Sequence, residues 1–212
     1  MSMINTVLNQ WRKPTGRLGQ LLVWAMNFSH SILINWGLKY ISIEKHYTIL
    51  DVGCGGGGTV RKLAGIAVHG KVYGIDLSEE SVTVSRRTNR RFIKMRRVEI
   101  QNSSVSYLPF SDNLFDLVTA VNTYYYWPDL VGDMKEIRRV LKPGGKFMIL
   151  GEAYKGGKHF DRNRKFLEMM GGATYHGIGE LSELFSVAGY SEVQMFEKYE
   201  WDFVCGIGKK PA

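Results

Sequence analysis

The chain has 212 residues, 44% of them hydrophobic, and 28 Lys and Arg against 20 Asp and Glu give a formal charge of +8. That length suits one domain with a core of its own, and the longest apolar run, Leu21 to Leu38, is too interrupted by Asn27, Ser29, His30, Ser31 and Asn35 to cross a bilayer. Cys54 and Cys205 lie far apart and argue against a disulfide framework or a cysteine metal site, and no signal-peptide succession opens the chain, so the expected setting is cytoplasmic with no metal.

Apolar residues at Leu18, Leu21, Leu22, Ala25, Met26, Leu33, Trp36 and Tyr40 predict one or two amphipathic helices. Such a segment cannot bury a core alone. Residues 1–45 are therefore expected to form a helical lid on residues 46–212, the two together making a single domain over 1–212. His30, a polar break in this stripe, is a candidate catalytic group facing the ligand.

From Tyr47 onward, β-branched runs alternate with helical patterns, the signature of parallel strands joined by crossover helices. Strands are predicted over Tyr47–Val52, Lys71–Asp76, Arg97–Gln101, Phe115–Val121 and Lys146–Leu150. Helices are predicted over Thr59–Ala67, from an N-cap at Ser78 to about Ile93, and over Asp129–Val140, the last stopped by Lys142-Pro143-Gly144-Gly145. After an amphipathic helix over Glu180–Ala188, Glu192–Tyr199 and Trp201–Gly208 are separated by so little chain that they must pair antiparallel. The fold class is thus α/β, a doubly wound, mostly parallel sheet ending in an antiparallel hairpin.

Seven of the basic residues (Arg86, Arg87, Arg90, Arg91, Lys94, Arg96 and Arg97) crowd one helix and the turn after it. They read either as a solvated face or as a contact for something anionic such as RNA.

The most informative segment is Ile49-Leu50-Asp51-Val52-Gly53-Cys54-Gly55-Gly56-Gly57-Gly58, a buried strand entering glycines and then a helix whose free amides suit an anionic group. Gly53, Gly55 and Gly58 also satisfy the dinucleotide fingerprint, so a nicotinamide oxidoreductase is an alternative. Asp76 ends the second strand, where a carboxylate accepts hydrogen bonds from ribose hydroxyls; this fits any adenosine-containing ligand. Asp51 would sit poorly beside a pyrophosphate and suits a ligand with cationic groups, or else it holds its own loop's amides.

Leu50 to Gly57, Tyr73-Gly74-Ile75-Asp76-Leu77-Ser78, Leu108-Pro109-Phe110-Ser111-Asp112-Asn113-Leu114-Phe115-Asp116-Leu117-Val118 and Arg139-Val140-Leu141-Lys142-Pro143-Gly144-Gly145, in that order, resemble the class I S-adenosylmethionine (AdoMet)-dependent methyltransferases. Within that family the chain most resembles the quinone-biosynthesis-like small-molecule branch, from about Tyr47 to Gly151. The resemblance implies a seven-stranded sheet and AdoMet as cofactor, leaving S-adenosylhomocysteine (SAH). It implies that Gly53, Gly55 and Gly57 line the methionine part, Asp51 lies near its amino group, Asp76 takes the ribose hydroxyls and Leu77 packs on adenine.

Many relatives carry an aspartate where this chain has Ser104, so backbone groups of Ser104 and Val105 are expected to meet the adenine instead. Asn122 falls where relatives face both AdoMet and acceptor. The Asn122-Thr123-Tyr124-Tyr125-Tyr126-Trp127 run lacks the prolines of enzymes that methylate base amines, which favours a small-molecule acceptor walled by aromatics over nucleic acid. Tyr125, His176 and Glu152 join His30 as candidate acid–base groups, Tyr125 and His30 foremost.

Overall fold

The computed structural model describes residues 31–163 and 173–212. Chain order runs α1 (Ser31–Gly37), β1 (Thr48–Val52), α2 (Gly58–Ile66), β2 (Lys71–Asp76), α3 (Glu79–Thr88), α4 (Arg90–Lys94), β3 (Val98–Asn102), β4 (Phe115–Val121), α5 (Leu130–Val140), β5 (Leu141–Gly151), α6 (Ile178–Val187), β6 (Ser191–Lys198) and β7 (Phe203–Lys209). The seven strands form one sheet in the order β3-β2-β1-β4-β5-β7-β6. Neighbours from β3 to β5 are parallel, and β7 runs antiparallel to both β5 and β6. This is the Rossmann-like methyltransferase fold. The strand order reverses between β1 and β4, the point at which open α/β sheets take ligands beyond their carboxyl ends.

Strand periodicity explains the layers. Ile49, Leu117, Met148 and Leu150 enter a core shared with Leu33 of α1, Val60, Leu63 and Ala64 of α2, and Val82 of α3. Their neighbours Leu50, Val118 and Ile149 point the other way, into a core with Met134 and Ile137 of α5 and Leu181 and Phe185 of α6. Each fully buried side chain of this size contributes about 1.5–3 kcal/mol, so the central strands are held from both faces.

The helix starts follow the expected chemistry. Ser78 Oγ accepts from the Ser81 amide at 3.2 Å, with Glu79 and Glu80 in the first turn, and Asp129 caps α5 by accepting from the Gly132 amide at 3.0 Å. Two expectations change. The helix predicted to reach Ile93 breaks at Asn89, a fully buried residue whose amide leaves the helix line to donate to the carbonyls of Gly57 and Ser85, both at 3.0 Å. The Pro143-Gly144-Gly145 turn lies inside β5 as an irregularity: Leu141 pairs with Phe115 and Lys146 with Leu117. Gly144 (φ +76°) and Gly145 there exchange hydrogen bonds with Lys210 just past β7.

The α1 helix lies against β5 so closely that a Cβ on Gly37 would meet Leu150 Cδ2 at 2.2 Å. Trp36 packs on Phe203 (5.7 Å) and Tyr40 stacks on Phe196 (4.0 Å), which fixes residues 31–40 over the carboxyl end of β5 and the terminal hairpin. His30 and the stripe from Leu18 to Met26 lie outside the described residues.

Candidate active site

The β1 strand delivers Asp51 and then the glycine loop to the switch point. Asp51 is 1% exposed, and its Oδ1 accepts from Thr119 Oγ1 at 2.6 Å, the two residues being paired across β1 and β4. Burial pushes this carboxyl up to about 7, against the relief from Thr119, and Asp76 adds to the rise. A buried carboxylate in that condition is suited to a cation brought by a ligand.

The three glycines of the fingerprint have positive φ, +67° at Gly53, +50° at Gly55 and +79° at Gly57, but their missing side chains serve different ends. A Cβ on Gly53 would strike Thr123 Oγ1 at 2.3 Å, and one on Gly57 would strike Ser85 Oγ and Asn89 Nδ2, both at 2.4 Å. Those two glycines let the loop pack against β4's exit and against α3. At Gly55 nothing lies within 4 Å, so this is the position at which the loop backbone faces open space.

At the end of β2, Asp76 Oδ2 accepts from the Gly55 amide and Oδ1 from the Ser78 amide, each at 2.9 Å. Its carboxyl is also raised by burial, partly offset by those amides. One residue on, Leu77 is 66% exposed, an unusual setting for a leucine and one that leaves its side chain free to cover a flat ligand. Ser104 accepts from the Ser106 amide at 3.2 Å and shapes the turn after β3, and Val105 is buried. The following Leu108-Pro109-Phe110 segment is pinned from α5. Arg139 donates to the carbonyls of Leu108 (3.0 Å) and Phe110 (2.8 Å) and pairs with Asp112 and Glu136, and Glu136 accepts from the Leu108 amide at 2.9 Å.

Beyond β4, Asn122 takes a left-handed conformation (φ +53°), and its Oδ1 accepts from Tyr125 Oη at 2.5 Å and from the Glu152 amide at 2.9 Å. The Asn122 amide also bonds the Glu152 carboxylate, which burial holds above its usual range. Tyr125 is 6% exposed, and burial pushes its phenol well above the ordinary value, so it stands as a protonated donor to Asn122. Tyr124 is buried beside it, and Trp127 stacks at 6.2 Å on Phe147, within the core. His176 lies 3.6 Å from Glu180, and its imidazole is lowered by burial.

The arrangement brings Asp51, Gly55, Asp76 and Asn122 to the carboxyl ends of β1, β2 and β4. The sequence reading passed over Thr119, Asn89, Ser85 and Arg139. Thr119 was findable only from its register opposite Asp51; Asn89 resembles any exposed helical Asn until the loop it supports is in place.

A methyltransferase domain model matches residues 50–149. The demethylmenaquinone methyltransferase of Bacillus cereus is 29% identical over 180 residues, which span 74% of this chain and 76% of the relative. The chain is a class I AdoMet-dependent methyltransferase.

Among solved structures, an AdoMet-dependent methyltransferase from Aquifex aeolicus has a TM-score of 0.73 at 21% identity, covering 90% of this chain and 98% of that one. Phosphoethanolamine N-methyltransferase 2 of Haemonchus contortus, solved with SAH, has a TM-score of 0.78 at 16% identity, covering 100% of this chain and 61% of that one. The cofactor of the methyltransferase is AdoMet, which settles the fingerprint's ambiguity against a nicotinamide. Among the described residues no helix is long and apolar enough to cross a membrane.

Proposed function

We propose that this methyltransferase transfers the methyl group of AdoMet in line to a small-molecule acceptor lodged beside Asn122, Tyr125 and Glu152. The observation that carries the reading is the convergence on one loop of an open Gly55 and two carboxylates, with Asp76 bonded to the Gly55 amide itself. Gly53, Gly55 and Gly57 hold the loop against the methionine part, Asp51 receives the ammonium, and Asp76 keeps lone pairs for the ribose hydroxyls. Leu77 covers the adenine, with the backbone of Ser104 and Val105 at its edge.

A sulfonium leaves as a neutral thioether, so the chain's residues need mainly to align the acceptor and keep water away. Asn122 and Tyr125 form the wall between cofactor and acceptor, held by their mutual 2.5 Å bond. Residues 1–45 act as the lid, with α1 as its anchor and His30 as the acid–base candidate it carries. The demethylmenaquinone methyltransferase likeness supports an acceptor of small-molecule size. Two of the seven cations that suggested RNA are committed internally: Arg86 donates to Ile100 O and Arg97 to the carbonyls of Ala64 and Ala67.

The experiment is an SAH-release assay over a panel of small acceptors and total RNA, with and without residues 1–30. Turnover with a small acceptor, lost on truncation, is expected; turnover with RNA alone would defeat the proposal.

A further inference from the structure

We propose that the acceptor pocket of this methyltransferase takes a cationic amine, with Glu152 as its counter-ion and the rings of Tyr125, Tyr126 and Tyr175 as its walls. The inference rests on the methyltransferase reading and adds the acceptor's chemical class.

The rings come from two distant segments and meet at Tyr125. Its ring centroid lies 4.5 Å from Tyr124, 5.5 Å from Tyr126 and 5.1 Å from Tyr175. The Thr174 amide donates to the Tyr125 carbonyl at 2.7 Å, tying the segment that carries Tyr175 to the turn after β4. Ring faces carry negative quadrupole charge, so a group of them attracts a cation and gives an anion nothing.

Glu152 follows the last residue of β5, one strand from the end of β4, and is held there by Asn122 through both its backbone amide and its carboxylate. The cations nearest in sequence are engaged elsewhere: Lys155 with Glu180 at 3.5 Å and Lys158 with Glu200. The site's field is negative. Burial is the first cause lifting the phenols of Tyr125 and Tyr175, and the Glu152 charge adds to the rise at Tyr125.

A carboxylate kept partly out of water costs free energy that an incoming ammonium offsets and a neutral acceptor leaves uncompensated. An anionic acceptor adds repulsion. The amine must carry at least one hydrogen. The ammonium passes a proton to the Glu152 carboxylate, the freed nitrogen pair bonds to the methyl carbon, and the carbon–sulfur pair returns to sulfur. The products are a methylated ammonium and neutral SAH, after which Glu152 returns its proton to water.

Choline and 3,3-dimethylbutan-1-ol have the same shape and differ in charge, and neither can be methylated on its branched end. Titration calorimetry of each into the SAH complex is expected to show choline at least about tenfold tighter, near 1.4 kcal/mol. In Glu152→Gln that preference vanishes while SAH affinity stays within about twofold, and in Glu152→Asp part of it returns. If SAH does not bind the wild type, the methyltransferase reading itself fails. If SAH binds but the alcohol equals choline, or the preference survives in Glu152→Gln, the amine inference alone is overturned.

Discussion

Asp51 makes cofactor binding pH-dependent. Its carboxyl stands at about 7 in the free protein against an ordinary 3.8, a gap worth about 4 kcal/mol. Because the folded value lies above the unfolded one, the associated stability is complete below about pH 4 and is lost as pH rises to about 7. A ligand ammonium beside the carboxylate reverses this preference by favouring the charged form.

About half the Asp51 carboxyls are protonated at pH 7, so SAH binding there is expected to release about half a proton. The association constant should rise about tenfold per unit between pH 5 and 6 and flatten above 7.5. Calorimetry in phosphate and in Tris reads the proton count directly. Asp51→Asn keeps an acceptor for Thr119 but removes the charge; its SAH affinity should be weaker and nearly pH-independent, and without ligand it should be more stable than wild type at pH 8. Equal binding enthalpies in the two buffers, together with a flat pH profile for the wild type, would refute this reasoning.

Asp76→Ala should weaken SAH about a hundredfold or more, since two hydrogen bonds to a charged group go at about 1.5–3 kcal/mol each; unchanged calorimetric affinity would contradict the ribose assignment. Gly55→Ala and Gly57→Ala should separate binding from stability. The first meets open space at φ +50° and should lose SAH affinity for about 1–2 kcal/mol of strain, whereas the second drives a Cβ to 2.4 Å from Ser85 and Asn89 and should lower the melting temperature more. Turnover should survive EDTA, because among the described residues no three His, Cys, Asp or Glu side chains form a metal cluster; loss of activity restored by zinc or magnesium would count against it.

Elements whose signal is local were legible in the sequence. The buried strands, the Ser78 cap and the glycine loop each follow from a few adjacent residues, and the short link between the last two strands dictated their antiparallel pairing. What escaped depends on register and topology. Periodicity carries a helix through Asn89 because nothing nearby reveals that Gly57, 32 positions earlier, needs its amide. The glycines look equivalent in sequence and differ only in what their absent side chains would strike. Asn122, Tyr125 and Glu152 become one cluster only because β4 and β5 are neighbours. The charge run read as a uniform basic face, yet Arg86 and Arg97 cap backbone carbonyls of β3 and of α2 and the turn after it.

The central claim, that the opening at Gly55 between Asp51 and Asp76 is an AdoMet site, is tested most directly by titrating the purified chain with SAH and, separately, with NADH, repeating both on Gly55→Ala. Saturable one-to-one binding of SAH, no heat from NADH and loss of the SAH signal in the variant are predicted. Binding of NADH in preference to SAH, or SAH binding that Gly55→Ala leaves intact, would contradict the account.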